Sequence, residues 1–293
     1  MTNTASFSVD PPFGIPGVRA TRVQTNGVTL SVLEAGKEDG PLVVLLHGFP
    51  ELSYGWRHQI GPLVDAGYRV VAPDQRGYAT SDKPKGIRAY HGDELAKDIV
   101  GLIDHYGRER AHIVSHDWGA VVGWWLALNH SERVDRLVIM NVPHPIVMKK
   151  TLSSSFRQLK KSWYIFFFQL PFLPERALSG SKGGLLRKTS NEGSFTDDDL
   201  KVYTHAWRIP GAATGMLNWY RAARLPARPK QKRVTNKTLM IWGKKDIALG
   251  EEMAPPSIAL CDDGRLEFID DATHWVAHDA AERVNKLVLD FLR

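Results

Sequence analysis

Short apolar runs, each closed by polar or Gly/Pro punctuation, recur through the first half of the chain: PLVVLLH (41–47), YRVVAPD (68–74), AHIVSHD (111–117) and RLVIMNV (136–142). Between them the pattern turns helical. In GDELAKDIVGLIDHYG, Leu95, Ile99 and Leu102 share one face at spacings of three and four, and a second apolar helix opens near Gly119. Continuously apolar strands alternating with helices predict a mostly parallel sheet flanked by helices on both faces. After NVPHP the rhythm breaks. Residues 144–229 read as helices and loops, with an aromatic run WYIFFFQLP, a loop SGSKGG and a TDDD turn that predicts a helix cap at Thr196. Trp163, Phe166, Phe167, Phe168, Trp207, Met216 and Trp219 read first as the core of this insert. The strand pattern resumes at TLMIWGKKD (238–246) and RLEFIDDATHW (265–275). A closing helix follows, with Val284, Leu287, Val288 and Phe291 inward. The chain thus divides into a core of 1–143 and 230–293 interrupted by a helical cap of 144–229.

The 293 residues carry a formal charge of +6, unevenly spread: 145–230 holds 15 Lys/Arg against 5 Asp/Glu. That excess lacks any motif that reads nucleic acid, and a solvated face on an inserted domain explains it more simply. Cys261 is the single cysteine, so no internal disulfide forms. The opening MTNTASFSVDPPFGIPG has neither the basic nor the apolar region of a leader, and no segment is apolar enough to span a membrane. A cytoplasmic location is expected. The FFF run also fits an interfacial helix; a cap helix needs an apolar face anyway, so no membrane partner is expected.

Candidate chemistry lies where strands end, since ligands of open α/β sheets sit beyond the carboxyl ends of the strands. Asp117 follows HIVSH, Asp246 follows TLMIWGKK and His274 follows RLEFIDDAT. Each alone has a plainer reading, as a helix cap, a loop-orienting acid and a core histidine. Together their order is nucleophile, acid, histidine, and Ser115–Gly119 is the S-x-D-x-G form of a nucleophile elbow. HGFP (47–50) follows another strand. In such a site the oxyanion donors would be the backbone N–H groups of Phe49 and Trp118. His47, His116 and His144 match no zinc spacing, and no metal or cofactor is expected.

HGFPELSYGWRHQ, APDQRGYATSDKP, SHDWG, WYIFFFQLP, LNWYR, GKKD and DATHW together resemble the α/β-hydrolase fold epoxide hydrolases of the soluble and microsomal type, as a bacterial member. The resemblance implies Asp117 as nucleophile, His274 as base and Asp246 as the acid that orients it. It also implies a pair of cap tyrosines, Tyr164 and Tyr220, that hold the epoxide oxygen. The expected reaction converts an apolar or aryl-substituted epoxide to a vicinal diol through an alkyl ester on Asp117. An aspartate suits an sp³ carbon electrophile, whereas a serine suits a carbonyl. The nearest alternative is a haloalkane or haloacid dehalogenase with the same triad, which would have no use for the tyrosine pair. A receptor built on a retired hydrolase fold would be expected to lack a triad member. The expected unit is a monomer or homodimer.

Overall fold

The computed structural model describes residues 12–293, so most of the opening stretch that was read for a leader lies outside the described residues. Among them eight strands form one sheet: β1 (Arg19–Thr25), β2 (Val28–Ala35), β3 (Leu42–Leu46), β4 (Arg69–Asp74), β5 (Ala111–His116), β6 (Val134–Met140), β7 (Lys237–Gly243) and β8 (Gly264–Ile269). Their order is β1-β2-β4-β3-β5-β6-β7-β8. From β4 to β8 the neighbours run parallel, and β2 is antiparallel to both β1 and β4. The apolar runs foretold β3 to β8. The β1–β2 hairpin was not foretold, although its turn, Asn26-Gly27, has both residues at positive φ (42° and 73°), the geometry that favours this dipeptide.

Helices α1 (Arg57–Asp65), α2 (Gly92–His105) and α3 (Trp118–Asn129) alternate with the strands. Seven more lie between β6 and β7: α4 (Pro145–Ser154), α5 (Phe156–Lys161), α6 (Trp163–Phe167), α7 (Leu173–Ser179), α8 (Gly184–Thr189), α9 (Asp197–Arg208) and α10 (Ala212–Ala222). The chain closes with α11 (Ala254–Ile258), α12 (Val276–Asp279) and α13 (Ala281–Leu292). Side chains of a strand alternate between faces, and the central strands here feed two cores. Val43, Leu45, Val114, Val138 and Ile241 pack with α1 and α13. Val44, Leu46, Ile113, Ile139 and Trp242 pack with α2 and α3. On α13, Val284, Val288 and Phe291 are buried, and Leu287 packs at the margin.

The inserted helices cover the carboxyl ends of the strands. As read from the sequence, Thr196 caps α9, in a reciprocal box with Asp199. Trp207, Met216 and Trp219 are buried. Trp163 and Phe166 are not cap core: they are 64% and 62% exposed. A five-residue helix that turns Tyr164 and Ile165 inward must send part of an aromatic run the other way. The cap is fastened to the core by donors from α9 and α10. Trp207 Nε1 donates to Pro50 O at 2.6 Å, Tyr203 Oη to Glu51 Oε1 at 2.8 Å and Trp219 Nε1 to Arg76 O at 3.0 Å. Arg76 is itself held by a buried ion pair with Asp98. Beside it, Gly77 and Gly215 cross with no room for a side chain: a Cβ on Gly215 would lie 2.5 Å from Gly77 O.

Candidate active site

The turn from β5 to α3 holds Asp117 at φ 48°, ψ −123°, a region that costs an L-residue of this kind roughly 1–3 kcal/mol. Small neighbours make the turn possible. A Cβ on Gly119 would lie 2.0 Å from Leu46 O, and one on Gly123 would lie 2.7 Å from Ser115 Oγ. The strand-end loop after β3 approaches as closely: a Cβ on Gly48 would lie 2.3 Å from Asp117 Cβ and 2.5 Å from its Oδ1. That approach lets Phe49 N–H donate to Asp117 Oδ1 at 2.6 Å. Of the two expected oxyanion donors, Phe49 is thus at the carboxylate. Trp118 begins α3, and its amide belongs to the first turn, whose N–H groups find no partner within the helix. Replacing Gly48 by Ala is expected to push this loop away and lower kcat by about 10²–10³ with the fold retained. Steady-state kinetics alongside a thermal melt check it, and a rate within about twofold of the parent would show that the contact does not hold the Phe49 amide.

His274 stands between two carboxylates. Its Nδ1 is 2.7 Å from Asp246 Oδ2 and its Nε2 3.3 Å from Asp117 Oδ2. Asp246 is buried, and it also accepts from Asn141 Nδ2 (2.9 Å) and from the amides of Ala248 (2.8 Å) and Leu249 (2.9 Å). Burial works against each charge, lifting the carboxyls and depressing the imidazole. The ion pairing outweighs it: Asp117 and Asp246 lie below the ordinary carboxylate range, and His274 lies well above that of a free imidazole. Both carboxylates thus favour the protonated form of the imidazole between them.

Tyr164 from α6 and Tyr220 from α10 meet over this chain with ring centroids 6.1 Å apart and planes at 83°. Burial, with the nearby charge of Asp117 adding to it, pushes both phenols above their ordinary range. Tyr220 also packs edge-on to Phe49 (5.1 Å) and Trp118 (4.8 Å). Phe168, one turn after Tyr164, touches Tyr220 (4.8 Å), Phe49 (5.3 Å) and Tyr164 (5.8 Å), giving the site an aromatic wall. All seven residues singled out in the sequence are therefore in one place.

Others were missed. Asn141, at the end of β6 with φ 53° and fully buried, accepts from Gly243 N–H while donating to Asp246. Glu51, next after HGFP, is buried and accepts from Tyr203 Oη and His278 Nε2, both at 2.8 Å. Burial opposes its charge, but the adjoining His278 and His116 hold its carboxyl well below the ordinary range. His116 in turn donates from Nε2 to His274 O at 2.7 Å. The other two histidines weighed as metal ligands are engaged locally, His47 Nε2 with Gln75 N–H and His144 Nδ1 with Ile146 N–H. Among the described residues no group of three or more His, Cys, Asp or Glu is placed to hold a metal ion.

Residues 41–281 match the α/β-hydrolase fold family. The chain is 47% identical over 94% of its length to AB hydrolase superfamily protein YfhM of Bacillus subtilis, of which it covers 99%. It is 37% identical over 92% of its length to epoxide hydrolase 2 of Caenorhabditis elegans, covering 79% of that protein. The crystal structure of Bacillus megaterium epoxide hydrolase in complex with an inhibitor superimposes with a TM-score of 0.85 at 30% identity, covering 93% of this chain and 99% of that one.

Proposed function

The chain belongs to the epoxide hydrolases of the α/β-hydrolase fold family, and on that premise we propose how its own residues divide the opening and hydrolysis of an epoxide. Asp117 attacks a ring carbon while Tyr164 and Tyr220 hold the ring oxygen from the other side. One phenol transfers its proton to the departing alkoxide, a far stronger base, and an alkyl ester of Asp117 results. The observation that carries this reading is the pair of phenols, Tyr220 buried and Tyr164 half-buried, above the Asp117–His274–Asp246 chain. A phenol whose acidity is further weakened by burial is always protonated when substrate arrives.

Esterification also switches the base on. It removes one of the two carboxylates that stabilise the His274 imidazolium, so the proton passes to the tyrosinate and neutral His274 remains. His274 then takes a proton from water, whose oxygen attacks the ester carbonyl. The oxyanion falls to the amides of Phe49 and Trp118. Collapse expels the diol oxygen, which takes that proton. The remaining proton leaves the Asp117 carboxyl for His274, which restores the resting pair.

The aromatic wall of Phe49, Trp118 and Phe168 supports an apolar or aryl-substituted epoxide as substrate. We take residues 144–229 as the cap and one chain as the catalytic unit, monomeric or in a homodimer, since all the residues invoked come from one chain. Incubation with styrene oxide and measurement of diol tests the activity. Tyr164→Phe and Tyr220→Phe each leave one donor, and the double variant is expected to lose about 10²–10⁴ in rate, more than the two single losses suggest. A double variant as fast as either single one would remove the tyrosines from the ring-opening step.

A further inference from the structure

Helices α5 and α6 present their apolar face outward. Phe156, Leu159, Trp163, Phe166 and Leu170 recur at i, i+3, i+7, i+10 and i+14, the spacing of one helical face. All five are exposed, Phe156 at 81%, Trp163 at 64% and Phe166 at 62%. The inward side of α5 is polar and buried at Gln158 and Ser162, and that of α6 packs Tyr164 and Ile165 on the core. Gln158 donates to Ser162 Oγ (3.0 Å) and Ala248 O (2.8 Å) and accepts from Gly250 N–H (3.2 Å). These bonds to the segment after Asp246 fix which side faces in, so the aromatics cannot be turned inward without leaving buried amide groups unpaired. Phe172 (78%) and Leu173 (59%) carry the exposed apolar run on to α7. Scattered apolar residues on a surface need no explanation, but a run of this kind marks a contact.

Charge selects the partner. From Pro145 to Phe172 the chain has five Lys/Arg and no Asp or Glu, and Lys149, Lys150 and Lys160 are exposed. We propose that this face rests on an anionic lipid surface, with the aromatics among the headgroups and the lysines on the lipid phosphates. A second copy is disfavoured, since two such faces would meet cation to cation with no carboxylate in the segment to pair. A single-stranded nucleic acid would use the lysines and the rings but not Leu159, Leu170 or Leu173, which have no face on which a base stacks. Among the described residues no helix is long and apolar enough to cross a membrane, so the contact is peripheral. It departs from the expectation of no membrane partner. Because α6 turns Trp163 and Phe166 out and Tyr164 in, the docked surface adjoins the wall of the active site.

The test is binding of the full chain to vesicles of phosphatidylglycerol and phosphatidylcholine, against phosphatidylcholine alone, by cosedimentation. Trp163 is the exposed tryptophan of a chain whose others are buried or half-buried, so quenching of its fluorescence by brominated lipid reports insertion. Anionic vesicles are expected to bind at least about tenfold more tightly than neutral ones, and less tightly in about 0.5 M salt. Replacing Lys149, Lys150 and Lys160 by Ala costs about fivefold each, about 100-fold together. Lys161 is left in place because its Nζ donates to Asp246 O. The double variant F156S/F166S is expected to lose quenching and binding. Both variants keep the parent rate on a water-miscible epoxide, which shows that they fold. Absence of binding to anionic vesicles, or binding that survives F156S/F166S, overturns the proposal. So does a dimer in sedimentation equilibrium that F156S/F166S breaks, which would give the face to a second copy.

Discussion

Replacing Asp117 by Ala is expected to abolish diol formation, a loss of about 10⁶-fold on the scale of other covalent nucleophiles. No other carboxylate can take over. Asp246 is buried behind His274 and its oxygens are occupied by Asn141, His274 and two backbone amides. The oxygen bookkeeping gives an independent check on the parent enzyme. In a single turnover in ¹⁸O-water with enzyme in excess, the diol carries no label and the Asp117 peptide gains it, because the oxygen delivered to carbon is the carboxylate's own. Label appearing in the first diol would mean that water attacks the ring directly and would remove Asp117 as nucleophile.

Replacing His274 by Ala separates the two halves of the reaction. The carboxylate and the phenols remain, so the ester forms; the base is gone, so it stays. Mass spectrometry of the Asp117 peptide after incubation with epoxide should show the added mass of one substrate, with turnover lower by about 10²–10⁴. A variant that turns over normally without accumulating ester would assign the hydrolytic step to another group. In the parent, the His274 pair also shapes stability. Its folded-state pKa is raised, so the stabilisation is fully present below the ordinary imidazole pKa of about 6.5 and is lost as pH rises through the folded value. Melting temperature measured upward from neutral pH should therefore fall more steeply in the parent than in His274→Ala.

What could be read from the chain divides by how local the cause is. Strands β3 to β7 announce themselves because their middles are buried on both faces and run apolar, and β8 by the shorter alternation of Leu266 and Phe268, closed by Ile269. Strand β1 has one face open to solvent, with only Val23 and Thr25 buried, so its signal is faint and rests on the Asn26-Gly27 turn. The elbow was legible because strand, turn and small residues are contiguous. Asn141 and Glu51 were not, since their partners Asp246 and His278 lie 105 and 227 positions away and only the assembled fold unites them. Trp163 and Phe166 were misplaced for a different reason. Composition says that aromatics will be buried somewhere, but their phase on a short helix depends on which neighbour, here Tyr164, is drawn inward.

The crossing of Gly77 and Gly215 makes the two halves of the cap unequal partners in substrate traffic. Backbone pressed on backbone, beside the Trp219–Arg76 bond, leaves α10 no slack, so Tyr220 behaves as part of the floor. Helices α5 and α6 are held by side chains instead, Gln158 to Ala248 O and Gly250 N–H and Lys161 to Asp246 O, so any opening for substrate is expected there. Of the two phenols, Tyr164 is then the one expected to move as substrate enters. Amide exchange should be faster through 156–168 than through 212–222, and a ligand bound in the site should slow the first segment more than the second. Equal exchange in both would mean that the cap moves as one piece.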